Sequence, residues 1–94
     1  VLEDLSNYFD SLVPEKGFTS LSGDGRRKSY LHNDEGPDDM PAHIRTALTN
    51  TSLSLSIQES EVLLGIWQAI YIWEHRTLGS ERTMNLHVIG EIRS

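Results

Sequence analysis

The chain has 94 residues, 37% of them hydrophobic, with no cysteine and a formal net charge of −6. That length allows one small domain, residues 1–94, with a thin core, and without thiols neither disulfides nor thiolate metal ligands can reinforce it. The acidic balance excludes broad phosphate-backbone binding, and no apolar run approaches the roughly 18 residues of a membrane span, so nucleic acid and membranes are not expected partners.

Leu2, Leu5, Phe9 and Leu12 recur at steps of three, four and three, which predicts an amphipathic helix over Val1–Pro14. Glu3 and Asp4 suit its positive N-terminal end, and Pro14 stops it by pushing Val13 out of the helical region. Residues 15–36 have no period and carry four glycines, so they are expected to form a long surface loop. The triplet Arg26-Arg27-Lys28 within it suggests nucleic acid, but beside Asp24 in an acidic chain it reads as a solvated tip.

A second helix is expected after Asp38 or Asp39, either of which can cap it, with Pro41 in the first turn where its missing N–H costs least. Ala42, Ile44, Ala47 and Leu48 supply its apolar face, and Thr49-Asn50 ends it. From Ser52 to Ile57 the period changes to two, the alternation of a half-buried strand. Glu59-Ser60-Glu61 predicts a turn, followed by a long apolar strand, Val62–His75, with a bulge at Gly65. A last strand is expected from Thr83 to Ile92. Helix, loop, helix and three strands predict an α+β fold, an antiparallel or mixed sheet with two helices packed on one face.

The densest polar cluster is His32-Asn-Asp-Glu-Gly-Pro-Asp-Asp39 followed by His43, which holds four of the chain's acids. Asp39 and His43 stand four apart and share a helix face, where a carboxylate orients an imidazole or joins it in holding a divalent ion. The spacing matches neither an EF-hand nor a His-Glu-x-x-His zinc helix. The alternative is an ordinary capped, solvated helix entry. Gln68 and Glu74 interrupt the apolar strand: Glu74 either pairs with Arg76 or Arg82, or both line a pocket wall facing His32 and His43. Trp67, Tyr71 and Trp73 read as core or subunit interface, and His75 and His87 as surface or packing residues. The sequon Asn50-Thr51-Ser52 has no export signal to support it, and the expected location is the cytoplasm.

Several of these stretches resemble one family. His32-Asn-Asp-Glu-Gly-Pro-Asp-Asp-Met-Pro-Ala-His43-Ile, Ser52-Leu53, Leu64-Gly65-Ile66-Trp67-Gln68-Ala69-Ile70-Tyr71-Ile72-Trp73-Glu74-His75 and Ile89-Gly90-Glu91 are similar, in order, to the YjbQ family. Leu12-Val13-Pro14-Glu15 is also similar to that family's end-of-helix sequence, and the likeness runs from about Leu5 to Ile92. The resemblance implies a small α+β protein, a homotrimer, with a metal ion (zinc or magnesium) in a His-rich pocket. It also implies a weak transferase activity, secondary thiamine-phosphate synthase, which joins a pyrimidine diphosphate to a thiazole phosphate and releases pyrophosphate. On this chain it points to His32 and His43 as metal ligands and to Asp39, Gln68 and Glu74 as catalytic residues, with Arg45 near enough to meet a phosphate.

Two departures accompany it. Family members begin with further strands and a His-Thr-Ser motif that have no counterpart here, so the chain is expected to be N-terminally incomplete, about two-thirds of the usual length. Residues 17–29 read as an insertion peculiar to this protein. Two functions from different classes follow: an enzyme handling phosphorylated small molecules with metal assistance, or a non-catalytic homo-oligomeric protein holding a ligand or ion in the same pocket.

Overall fold

A computed structural model describes residues 1–20 and 23–91. The first helix, α1, runs Leu2–Leu12. Val13 leaves helical geometry at φ −127 and ψ 72, as a residue before proline must. Val13, at 2% exposure, and Pro41 are the buried apolar side chains among the described residues. Leu2, Leu5 and Leu12 on the apolar stripe stay exposed, so α1 covers far less than its periodicity predicts.

The expected loop 17–29 is a hairpin: β1 (Phe18–Thr19) pairs antiparallel with β2 (Arg27–Lys28), while Leu21 and Ser22 lie outside the described residues. The Tyr30 hydroxyl donates to the Pro14 carbonyl at 2.8 Å, tying the hairpin's far end to the end of α1. Gly17 opens the hairpin at φ +116, where a Cβ would collide with the Lys28 carbonyl. Gly25 also has positive φ (+71) but open space around it. Gly17→Ala is therefore expected to cost about 1–3 kcal/mol and Gly25→Ala about 1 kcal/mol or less, read from urea midpoints. Equal losses in the two variants would show that the close approach at Gly17 carries no weight.

The second helix, α2, runs Asp39–Leu48 with Asp38 as its N-cap residue. Its C-terminal half faces α1: the Arg45 guanidinium bonds Asp10 at 3.0 Å and the Val13 carbonyl at 3.3 Å. Beyond it, β3 (Ile57–Gln58) and β4 (Glu61–Val62) form a second antiparallel hairpin. Glu59 and Ser60 take φ 52 and φ 65, the pair of positive values that a two-residue turn compatible with strand twist demands. The Leu63 N–H adds one more bond to the Ser56 carbonyl at 2.8 Å.

The α+β class holds, with two helices and two small antiparallel sheets, but the sheet component is smaller than the alternation predicts. The apolar run does not continue as a strand. It breaks at Gly65 in a turn, with the Gln68 N–H bonded to the Gly65 carbonyl at 2.9 Å. Residues 63–91 carry no ladder, and the end of the predicted last strand, Ile92, lies outside the described residues. An alternating segment becomes a strand only where a neighbour accepts its backbone bonds; here Ile66, Trp67 and Ile89 are left 87–93% exposed. The radius of gyration is 18.3 Å, against about 12 Å for a compact domain of this length. The accessible surface is 8934 Å², against about 5,500 Å² for a compact monomer. Among the described residues no helix is long and apolar enough to cross a membrane.

One stretch of this C-terminal segment does dock. Trp73 meets Phe9 of α1 edge-on at 4.8 Å between ring centroids, and His75 lies 5.2 Å from Trp73. Residues 73–77 thus sit against both helices, and that contact assembles the site.

Candidate functional site

The loop before α2 folds on itself because Gly36, at φ +113, permits a tight reversal. Its N–H donates to the Asn33 carbonyl at 3.0 Å, and the Asp39 N–H donates to the Gly36 carbonyl at 3.2 Å. This reversal carries His32 back over the first turn of the helix. Pro41 follows in that turn with no N–H to satisfy, and His43 emerges one turn after Asp39 on the same face.

Asp39 is the centre of the arrangement. It is only 3% exposed, and a buried carboxylate must have its lone pairs satisfied. The Glu35 N–H donates to Oδ2 at 3.1 Å. His32 Nε2 lies 3.0 Å from Oδ2, and His43 Nε2 lies 3.3 Å from Oδ1. The two imidazole rings stand 5.2 Å apart and tilted by 68°. One potential ligand atom from each of the three residues falls within a single 4.8 Å group. A four-coordinate ion about 2.1 Å from each ligand needs ligand atoms about 3.4 Å apart. The two His–Asp spacings come near that value but run to different oxygens of the carboxylate, and the three-atom group spans up to 4.8 Å, so the ligands would draw closer around an ion; the donor set of two imidazoles and a carboxylate suits a divalent transition ion.

Four acids so close together require positive charge, and Arg76 brings it from the far end of the chain. Its Nε and Nη2 donate to Asp38 Oδ2 and Oδ1 at 3.0 and 3.1 Å. Its Nη1 donates to Glu35 Oε2 at 3.1 Å, its Nη2 to the Glu35 carbonyl at 2.6 Å, and Asp39 Oδ1 lies 3.9 Å from Nη1. The Thr77 N–H adds a bond to Asp38 at 2.7 Å. The Arg76 guanidinium and that N–H hold the Asp38 carboxyl down at about 2, and the bonds to Asp38 and Glu35 raise Arg76. Asp38 makes no side-chain bond to the helix it begins, because its carboxylate is spent on Arg76 and Thr77. From the sequence alone Arg76 is legible only as a partner for Glu74. Its signal was the run Asp34, Glu35, Asp38, Asp39 with no cation among those residues.

A cleft of about 810 Å³ opens beside the cluster, walled by Asp39 and His43 on one side and by Trp73, Glu74, Arg76 and Arg82 on another. Glu74 lies in this wall but is fully engaged: Arg82 Nε and Nη2 donate to it at 2.9 and 2.8 Å, and the Arg76 N–H at 2.9 Å. The Arg82 guanidinium, with the Arg76 N–H, keeps the Glu74 carboxyl down at about 2. Gln68 is not brought to the cleft; its side-chain oxygen accepts from the Gly65 N–H at 2.7 Å in an exposed turn. Arg45 is not there either, since two residues along a helix turn it about 200° from His43, towards Asp10.

His75 lies between the rings of Trp73 and the end of α2. Its Nε2 is 3.4 Å from the Thr49 hydroxyl, which itself donates to the Arg45 carbonyl at 2.8 Å, so the imidazole supplies the hydrogen to Thr49. Its buried Nδ1 has no partner among the described residues, and burial, with the Arg45 charge, lowers its pKa.

Comparison with known proteins gives one consistent result. The family model for UPF0047 protein YjbQ-like proteins matches residues 1–91. UPF0047 protein sll1880 of Synechocystis sp. is 48% identical over 92 residues, which cover 98% of this chain and 56% of that protein. UPF0047 protein YjbQ of Escherichia coli O157:H7 is 34% identical over 91 residues, covering 97% of this chain and 58% of that protein. The protein of the same name from Salmonella typhimurium is 33% identical over 91 residues, with the same coverage, 97% and 58%. The chain therefore spans a little over half the length of these relatives. No solved structure matches it.

Proposed function

Since the chain belongs to the YjbQ-like family, we propose that it holds a divalent metal ion on His32, Asp39 and His43 and uses it to bind a phosphorylated small molecule in the adjoining cleft. The observation that carries this is the packing of three ligand atoms, from residues spread between His32 and His43, into one 4.8 Å group around a buried carboxylate. The ion supplies positive charge to a phosphate oxygen in an otherwise acidic pocket. Asp39 orients both imidazoles, and the Glu35 N–H fixes Asp39 in turn. Glu74, held ionised at about 2, is a weak base near neutral pH and acts by positioning Arg82. Gln68, spent on its own turn, is outside the proposed site.

The reaction this reading allows is the family's weak thiamine-phosphate synthesis, a transfer that expels pyrophosphate. A second reading, a non-catalytic homo-oligomeric binding protein in the cytoplasm, draws on the surface area. The chain exposes about 3,400 Å² more than a compact monomer, and Ile66, Trp67 and Ile89 are among the apolar side chains left for a subunit contact to cover. Self-association, as a trimer, belongs to both readings.

Titration of the metal-stripped chain with Zn²⁺ tests the site. One equivalent is expected to bind the wild-type chain, and His43→Ala is expected to weaken it roughly 100-fold. Wild-type protein that takes up no Zn²⁺ overturns the metal site. Metal binding without thiamine-phosphate formation leaves the binding-protein reading in force, and turnover undiminished in His43→Ala removes His43 from the chemistry.

A further inference from the structure

We propose that Arg82 is the anion-recognition residue of the cleft, taking an oxyanion group such as phosphate, and that its occupancy is coupled to the ion at His32, Asp39 and His43. The coupling rests on the proposed metal site; recognition by Arg82 does not. Three arginines stand near the cluster, and their hydrogen bonds separate them. Arg45 points to Asp10 and Val13 on the α1 side. Arg76 lines the cleft, but its Nε, Nη1 and Nη2 are all engaged by Asp38 and Glu35. Arg82 is different. Its Nε and Nη2 are fixed by Glu74, while Nη1 has no partner among the described residues, and the side chain is 53% exposed on the cleft wall.

A guanidinium anchored on one edge and open on the other is pre-organised for an incoming oxyanion, because little side-chain freedom remains to be lost. Tyr71, Trp73 and Leu53 form the apolar part of the same cleft, so the ligand it fits is a small molecule with one oxyanion group and an apolar, flat body. Charge decides the coupling. The ionised groups lining the cleft are Glu35, Asp39 and Glu74 against Arg76 and Arg82, a net negative wall that opposes an anion. A divalent cation on Asp39 reverses that sign. The ion and the anion must then favour each other by the same factor in both directions.

The test titrates inorganic phosphate by calorimetry into metal-free protein and into protein loaded with one equivalent of Zn²⁺. Loading is expected to tighten phosphate binding by roughly tenfold. In metal-free protein Arg82→Gln is expected to weaken it about tenfold, Arg82→Lys less, and Arg45→Gln by no more than about twofold. Phosphate affinity unchanged in Arg82→Gln, or lost equally in Arg45→Gln, overturns the assignment. If Arg82→Gln also loses Zn²⁺ binding, the fold of the site is affected, and Arg82→Lys, which keeps the charge and loses the fork, decides: wild-type phosphate affinity there overturns recognition through the guanidinium. A wild-type chain that binds phosphate through Arg82 but no Zn²⁺ removes the metal site and the coupling and leaves the recognition standing.

Discussion

Asp39→Asn is expected to reduce Zn²⁺ affinity by roughly 100-fold or more while leaving both helices in place. The substitution keeps the size of the side chain and one oxygen able to accept from the Glu35 N–H, which now lies 3.1 Å from Oδ2. It removes the charge that attracts the ion and the second acceptor, so one of the two imidazoles now paired at 3.0 and 3.3 Å faces an amide NH2 instead of an oxygen. Asp39→Ala goes further, because it leaves the Glu35 N–H and both rings without their shared partner; it is expected to cost an additional 1–3 kcal/mol or so of stability. Zn²⁺ calorimetry on Asp39→Asn, with circular dichroism to follow the helices, checks the pair. Wild-type affinity in Asp39→Asn would show that the carboxylate is not a ligand and that the two imidazoles suffice.

The second large effect is expected at Arg76. Arg76→Met keeps most of the length and the apolar stem but removes every bond to Asp38 and Glu35. The acids at the start of α2 then lose their counter-charge, and residues 73–77 lose their strongest hold on that helix. The melting temperature is expected to fall further than in Arg82→Gln, whose pair with Glu74 spans only eight residues. Divalent metal should recover part of the loss in Arg76→Met, since it restores positive charge beside Asp39.

The effect of pH has a defined sign. The native Asp38 carboxyl is held at about 2, below the ordinary range near 4. A depressed carboxyl contributes stability that is fully present above its unfolded value and is lost as pH falls through its native value. The gap between wild type and Arg76→Met should therefore be constant above about pH 5 and close between about pH 4 and 2. A gap that stays unchanged down to pH 2 would place the effect of Arg76 in packing rather than in its ion pair.

The sequence carried what depends on near neighbours. Both helices follow from apolar steps of three and four and from Pro14 and Pro41, and the structure places them at Leu2–Leu12 and Asp39–Leu48. The turn at Glu59-Ser60 was equally legible, as was the shared face of Asp39 and His43, because one helical turn sets that distance whatever surrounds it. The family, too, was legible, since its motifs are long and ordered.

Alternation misled where pairing had to come from elsewhere. The expected strands Val62–His75 and Thr83–Ile92 find no neighbour to accept their backbone bonds beyond Leu63 among the described residues, and the bend expected at Gly65 is a turn that ends the first. Gln68 stands out as a polar side chain in an apolar run and Arg45 by its nearness to His43, yet a turn and rotation about the helix axis send both away from the cleft. Only the tertiary structure decided that Arg76, 38 residues beyond Asp38, pairs with Asp38 and Glu35, that Glu74 answers to Arg82, and that Arg82 keeps a free edge on the cleft wall. The physical reason is range. Periodicity and capping act over one or two turns and are written in adjacent residues, whereas a charge pair across the fold depends on how the chain returns, and many arginines could have answered the same acids.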